Sequence, residues 1–399
     1  MGEDVRPMRG NAAEVLSAFF KLGLTSFGGP IAHLGYFRDE FVTRRRWLSE
    51  ASYADLVALC QFLPGPASSQ VGFALGLMRA GPLGALAAWI GFTLPSAVLL
   101  ILFAYGASAL EGPLVQGALH GLKLVAVAVV AQAVFGMAKS LTPDAQRAGI
   151  AVAVVFMIAL IGGAIGQVGA IVLGGVAGLV LCRSDAHVGK VEEFHGVSRR
   201  VGLVALVLFL ALLIGLPLLP HSAGLALFDG FYRAGALVFG GGHVVLPLLE
   251  AETVALGTMG ADAFLAGYGA AQAVPGPLFT FAAYLGAVSD GLLGAAIALV
   301  AIFLPGILIL LAALPFWNQL RAWPTAQAAM RGANAAVVGI LGAALYDPVF
   351  TSAVLNPLDF ALALAGFVAL VVWKAPSWVV VIALAVAGGL ISVAGAASL

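Results

Sequence analysis

Charge is what this chain has least of. Only 10% of its 399 residues are Asp, Glu, Lys or Arg, against roughly 25% in a soluble domain, so no charged shell exists to clothe a water-exposed globule. The 19 basic and 19 acidic residues cancel, and no acidic or basic tail points to a nucleic-acid or other soluble partner. There are two cysteines, Cys60 and Cys182, each in or beside an apolar stretch; they exclude a disulfide framework and a Cys/His metal cluster. Also missing are an HExxH zinc helix, a Walker lysine loop and a GxSxG elbow. These absences argue against an enzyme and leave no expected metal or cofactor. Without a nucleotide site, active transport would have to draw on an ion gradient.

What is present is apolar. The chain is 62% hydrophobic with a mean hydropathy of +1.06. Stretches such as 83–108, 117–138 and 291–314 reach the roughly 20 residues that cross a hydrocarbon core about 30 Å thick. None is flanked like a cleaved signal peptide. The composition therefore predicts an integral, multi-pass membrane protein of α-helices embedded in the lipid bilayer.

The chain also repeats itself. Phe27-Gly28-Gly29-Pro30 and the run Gln61 to Pro66 (QFLPGP) return as Phe239-Gly240-Gly241-Gly242 and Gln272 to Pro277 (QAVPGP). Leu94-Pro95 matches Leu304-Pro305, Lys21 matches Arg233, Glu40 matches Glu252 and Gly121 matches Gly332. The offset stays near 211 throughout. The sequence divides into a first repeat at 1–182, a connector with one unpaired apolar segment at 183–219, and a second repeat at 220–399. An unpaired crossing inverts the second half.

Loop charge tests that inversion, because Lys and Arg in short loops mark the cytoplasmic side. If 15–37, 52–80 and their counterparts re-enter and nine other segments cross, all fifteen loop cations fall on one side. They are Arg6, Arg9, Arg38, Arg44, Arg45, Arg46, Arg79, Lys139, Arg147, Arg183, Lys190, Arg199, Arg200, Arg321 and Lys374. The opposite loops carry Glu250, Glu252 and Asp262. A parallel arrangement, with 15–37 and 226–247 each crossing once, would strand Arg321 and Lys374 outside. The distribution favours two inverted-topology repeats.

Gly-Gly and Pro-Gly-Pro break helices, and inside a bilayer such breaks survive only against protein or a water-filled cavity. A helix starting there offers free N–H groups and a partial positive charge, a ready anion site. Gly28, Gly29, Gly65, Gly240, Gly241 and Gly276 are the expected backbone contacts, with Ser68, Ser69 and Thr280 adding hydroxyls. The alternative is that these residues merely permit kinks or close packing. Lys21 and Arg233 lie at matched intramembrane positions, where a cation costs around 2.5–3.5 kcal/mol; either a bound dianion offsets that or the side chains snorkel. Lys123 and Arg331 are expected to snorkel. Gln61 and Gln272 precede the breaks, suited to a ligand oxygen or a freed carbonyl. His33 and His243 flank the glycine motifs and, with Asp55, are candidates for proton coupling, against plain structural hydrogen bonds. Glu40 and Glu252 read as solvated loop residues.

At these residues the chain resembles the chromate ion transporter family, in its long two-domain form. The matching stretches are Thr25 to Pro30, the run Gln61 to Gly76, the run Phe239 to Glu250 and the run Gln272 to Gly286. The resemblance implies export of chromate across a bacterial inner membrane, protection from chromate, a proton-motive drive and antiparallel halves. Chromate is a tetrahedral dianion shaped like sulfate, so an oxyanion transporter for sulfate is the first alternative. A passive anion channel and a membrane-embedded enzyme or lipid-handling protein are the others. Oligomeric state is not encoded in these patterns; a homodimer is one arrangement they permit.

Overall fold

The structure is a computed structural model that describes residues 10–182, 197–220, 222–320 and 323–397. Arg6, Arg9, Arg183, Lys190 and Arg321 of the loop-charge argument lie outside the described residues, as does most of the connector loop. Every regular element among the described residues is a helix. In the first repeat these are α1 (Ala12–Thr25), α2 (Gly29–Phe37), α3 (Glu50–Phe62), α4 (Ala67–Ala109), α5 (Pro113–Leu141), α6 (Ala145–Ile161) and α7 (Gly163–Leu181). After α8 (Arg199–Gly215) come α9 (Ala223–Ala236), α10 (Val245–Thr253), α11 (Ala261–Ala271), α12 (Phe281–Ala313), α13 (Trp317–Leu320), α14 (Pro324–Ala344), α15 (Thr351–Ala353), α16 (Pro357–Val371) and α17 (Ser377–Ala397). Seven helices among the described residues are long and apolar enough to cross a membrane, and Ala145–Ile161 and Pro357–Val371 are shorter apolar helices.

α4 and α12 are not rods. A Cβ built on Gly76 would sit 2.8 Å from the Gly84 carbonyl carbon, and one on Gly286 would sit 2.5 Å from that of Gly294. Eight residues of straight helix would separate those groups by about 12 Å. Each chain therefore folds back on itself, at Ala80-Gly81 and at Asp290-Gly291, where both glycines take positive φ (+67° and +59°). That conformation is open to glycine and costly for other residues. Tight apposition of the two legs needs glycine at 76, 84, 286 and 294 for the same steric reason that small residues line membrane helix contacts.

The ends of the broken segments meet on one face. Arg79, closing the first leg of α4, reaches Glu14 at the start of α1 at 3.1 Å. Arg45, beyond α2, lies 3.7 Å from the same carboxylate. Arg38 contacts Glu50 at the start of α3 at 2.6 Å, and the Arg79 guanidinium stands 5.1 Å over the Trp47 ring. Both α1–α2 and α3 with the first leg of α4 thus return to the face they left. In the second repeat the Tyr284 hydroxyl donates to the Ala263 carbonyl at 2.9 Å, tying the start of α11 to the first leg of α12. The second turn, at Gly291, lies beside the Tyr105 hydroxyl. At 1.5 Å per residue, Gly81 to Tyr105 covers about 36 Å of helix. The two hairpin turns therefore sit at opposite ends of the second leg of α4.

The last helices of each repeat are exchanged. α6 and α7 pack on α14, while α16 and α17 pack on α5. The crossings are the same contact made twice: a Cβ on Gly332 would lie 2.6 Å from the Gly178 Cα, and one on Gly388 would lie 3.1 Å from the Gly121 Cα. α8 has no counterpart and packs along α12, with Gly202 against Pro315.

Glu40 and Glu252 are not solvated. Glu40 is buried in the π-helical turn Arg38–Arg44, held by Arg45 at 2.6 Å and Arg44 at 2.8 Å. Glu252 is half-buried on α10, its side chain only 8% exposed, packed against Gly230 and 3.5 Å from Arg233. Burial pushes the Glu40 carboxyl up, but the two arginines outweigh it and hold it below its ordinary range. A carboxyl depressed in the fold contributes stability above its unfolded pKa and loses it as pH falls through the folded value. The melting temperature of detergent-solubilised protein should hold from neutral pH down and drop below about pH 4. Glu40→Gln should lower the neutral melting temperature and flatten that acid limb; an unchanged limb would assign it elsewhere.

Candidate oxyanion site at four helix breaks

Tertiary structure brings all four sequence breaks to one place. The Gly65 N–H donates to the Val238 carbonyl at 2.7 Å, and the Gly276 N–H donates to the Ser26 carbonyl at 2.9 Å. These are the same bond in repeat-equivalent positions, each crossing from the Pro-Gly-Pro break of one half to the glycine break of the other. They meet the requirement that backbone freed inside a membrane find a protein partner. The glycine breaks touch each other as well, since a Cβ on Gly242 would lie 3.2 Å from the Pro30 Cγ.

Helix starts at the break cluster differ from many of those elsewhere. α1, α3, α6, α8 and α16 carry side-chain caps from Asn11, Ser49, Asp144, Ser198 and Asn356. α2 and α4, and the 3-10 turns Gly242–Val244 and Leu278–Thr280, have none. Uncapped first turns leave N–H groups and the positive end of the helix dipole toward the centre. A cavity of ≈ 610 Å³ reaches this cluster, lined by Gly28, Gly29, Gln272, Gly276 and His243 together with Gln132, Lys374 and Ser377. It is bordered by the α16–α17 loop, where Lys374 is exposed.

The predicted residues divide in three. Gly28, Gly29, Gly65, Gly240, Gly241 and Gly276 lie at the converging breaks, and Ser68 and Ser69 are buried in the first turn of α4. Thr280 is buried too, but its hydroxyl turns back to the Pro277 carbonyl at 2.7 Å. His33 is buried, with Nδ1 3.4 Å from the Ser68 Oγ, whereas the His243 Nδ1 meets the Tyr268 hydroxyl at 2.8 Å. Gln272 lines the cavity, and its carbonyl accepts from the Ser377 hydroxyl at 2.9 Å.

The third group lies away from the centre. Lys21 is exposed on the outer side of α1, and Gln61 is exposed at the end of α3. Arg233 contacts Asp229 and Glu252, so two buried carboxylates take the compensating part expected of a dianion. Asp55 accepts from the Trp317 indole at 3.0 Å. Lys123 is buried, and its ammonium reaches the exposed Asp262 carboxylate at 2.8 Å and the Ser352 carbonyl at 3.3 Å. Arg331 donates to the Cys182 carbonyl at 2.9 Å and to the Gln327 side chain at 3.0 Å.

Sequence reasoning missed Gln70, the residue that ties the first Pro-Gly-Pro break to α12 of the second half. Its amide donates to the Pro64 carbonyl at 2.9 Å and to the Gly306 carbonyl at 2.8 Å, the role expected of Gln61. It matches Phe281 in the second half, so symmetry gave no signal. Asp229 was legible: it stands four residues before Arg233, the spacing of helical ion pairs.

An all-α, multi-pass membrane protein whose broken helices converge on a cavity at its centre has the architecture of a membrane transporter. Among the described residues no group of His, Cys, Asp and Glu could hold a metal ion. The profile of the chromate transporter family matches the chain twice, at residues 13–179 and 225–390, and the chain belongs to that family. A "Chromate transport protein" of Pseudomonas aeruginosa is 28% identical over 383 residues, covering 93% of this chain and 90% of that one. A "Probable chromate transport protein" of Synechococcus elongatus is 28% identical, covering 82% of each. A "Chromate transport protein" of Cupriavidus metallidurans is 25% identical, covering 83% and 81%. No solved structure matches the chain.

Proposed function

We propose that this protein exports chromate across a bacterial inner membrane, driven by the proton motive force, and thereby confers chromate resistance. In this reading the two repeats are inverted, and the oxyanion binds where their breaks converge. The observation that carries it is the reciprocal pair of hydrogen bonds, Gly65 to Val238 and Gly276 to Ser26. It supports a single central site with uncapped helix starts around it, suited to a doubly charged tetrahedral anion. The hairpin turns at opposite ends of α4's second leg support inversion.

Lys374 beside the cavity supplies a cation where the anion would enter. It belongs to the predicted cytoplasmic set, which agrees with loading from inside. The test is chromate uptake into inverted vesicles carrying the protein. Uptake should require an imposed proton gradient and saturate, and excess sulfate should not suppress it. Sulfate that outcompetes chromate would move the assignment to a sulfate transporter. Non-saturating flux indifferent to the gradient would make it a channel.

A further inference from the structure

The fold is nearly symmetric at its centre, but the chemistry there is not. Ser26, His33, Ser69, Gln70 and Thr93 are all buried, none more than 7% exposed. In each, one polar atom has no hydrogen-bond partner: Ser26 Oγ, His33 Nε2, Ser69 Oγ, Gln70 Oε1 and Thr93 Oγ1. All five belong to the first repeat; in the second repeat the unpartnered buried side-chain atoms among the described residues are the Arg233 Nε and the Asn334 Oδ1, neither of them a hydroxyl. At the matched positions the second repeat has Val238, Val245, Thr280, Phe281 and Phe303, and the one hydroxyl among these is spent on the Pro277 carbonyl.

Their placement is close. His33 Nδ1 is 3.4 Å from the Ser68 Oγ, and the His33 ring stands edge-on to Phe92 with centroids 5.3 Å apart, so Thr93 is one residue from that contact. Ser26 shares the break with Gly28, and its carbonyl takes the Gly276 N–H. Ser69 and Gln70 sit in the first turn of α4, which no side chain caps. Ala32, beside His33, lines the cavity. Buried polar atoms ordinarily find partners; the Ser26, Ser69 and Thr93 hydroxyls and the His33 Nε2 can each donate to an acceptor from outside the chain, whereas Gln70 Oε1, itself an acceptor, cannot.

We propose that the oxyanion is held off the pseudo-twofold axis, in a first-repeat pocket formed by the Ser26, Ser69 and Thr93 hydroxyls, the His33 Nε2 and the start of α4. This rests on the oxyanion-transport reading. The Gln70 amide fixes the pocket's floor through Pro64 and Gly306. The second repeat, with Val238, Val245 and Phe303 at the matched positions, serves as a structural counterpart that supplies backbone but no hydroxyl ligand; the unpartnered atom beside Gly240, the Asn334 Oδ1, is an acceptor and cannot hold an anion.

Chromate and sulfate binding to the purified full-length protein, by isothermal titration, tests this with paired variants. Thr93→Val is nearly isosteric and removes the hydroxyl; Thr93→Ser keeps it. Thr93→Val and Ser69→Ala should each weaken oxyanion binding about ten-fold or more, the scale of one lost hydrogen bond to a charged group. Thr93→Ser and Thr280→Val should remain within about two-fold of the parent. Equal losses from Ser69→Ala and Thr280→Val would put the site on the axis and overturn the proposal, and so would full affinity in both Thr93→Val and Ser69→Ala. Elution on size exclusion separates lost binding from lost folding, and Thr93→Ser, with its smaller side chain, must bind if the hydroxyl is what matters. Sulfate bound in place of chromate, with the same first-repeat sensitivity, would uphold the pocket while removing chromate as cargo. If neither anion binds the parent protein, both the reading and the pocket fall.

Discussion

Arg233→Met should cripple folding rather than merely slow transport. The change leaves Asp229 and Glu252, whose side chains are 7% and 8% exposed, buried without their shared cation. Removing one member of a buried ion pair costs about 3–5 kcal/mol, a large share of the stability of most domains. The expected result is a steep loss of monodisperse protein in detergent and a lower melting temperature. The triple variant Arg233→Met, Asp229→Asn, Glu252→Gln removes the stranded charges and should recover most of it. If the triple variant also transports chromate, Arg233 serves the fold. If Arg233→Met instead folds normally and loses only chromate binding, the cation belongs to the anion site, as its matched position with Lys21 first suggested.

Gly65→Ala and Gly276→Ala should each abolish transport. At Gly276, φ is +101° and an added Cβ would lie 2.9 Å from the Ser96 Oγ and 3.1 Å from the Phe92 carbonyl oxygen. At Gly65, φ is +115° and the Cβ would lie 3.0 Å from the Gly306 Cα. Backbone strain alone is worth about 1–3 kcal/mol. The contacts add to it because they press on backbone and packed side chains of the other half, and moving away breaks the cross-repeat hydrogen bond. Gly29→Ala separates the two effects. Its φ is +78° but a Cβ there meets nothing within 4 Å, so it should cost the strain alone and retain measurable transport. Vesicle uptake normalised to folded protein measures all three. Wild-type rates in Gly65→Ala or Gly276→Ala would mean that the breaks are not held together during transport.

Much of this was legible because repetition and composition are properties of a string. The Gly-Gly and Pro-Gly-Pro pairs could be aligned by eye, and they are the residues that converge. Supposing that 15–37 and 52–80 re-enter puts the loop arginines on one side, and Glu14, Arg45, Trp47 and Arg79 stand together in the structure. Side-chain partners were not legible. Glu40 and Glu252 read as loop acids because nothing in their neighbourhood showed that a π-helical turn and a packed α10 would bury them. The partner of Lys123, the exposed Asp262, stands more than a hundred positions away, so no local pattern names it. Gln61 stands out in the sequence because it is duplicated as Gln272, whereas Gln70 makes its bonds to Pro64 and Gly306 without a duplicate.

The sequence by itself determined that the protein is a membrane-embedded helical bundle, that it is built twice, and where its helices break. Hydropathy, glycine and proline act through local backbone physics, so a linear pattern carries them. Tertiary structure alone decided which break faces which, that α6 and α7 exchange places with α16 and α17, that Arg233 looks toward carboxylates and Lys21 outward, and that unpartnered hydroxyls gather in one half. Those outcomes depend on which surfaces are left to pair once helices pack, and two equivalent positions in a duplicated sequence then acquire different neighbours.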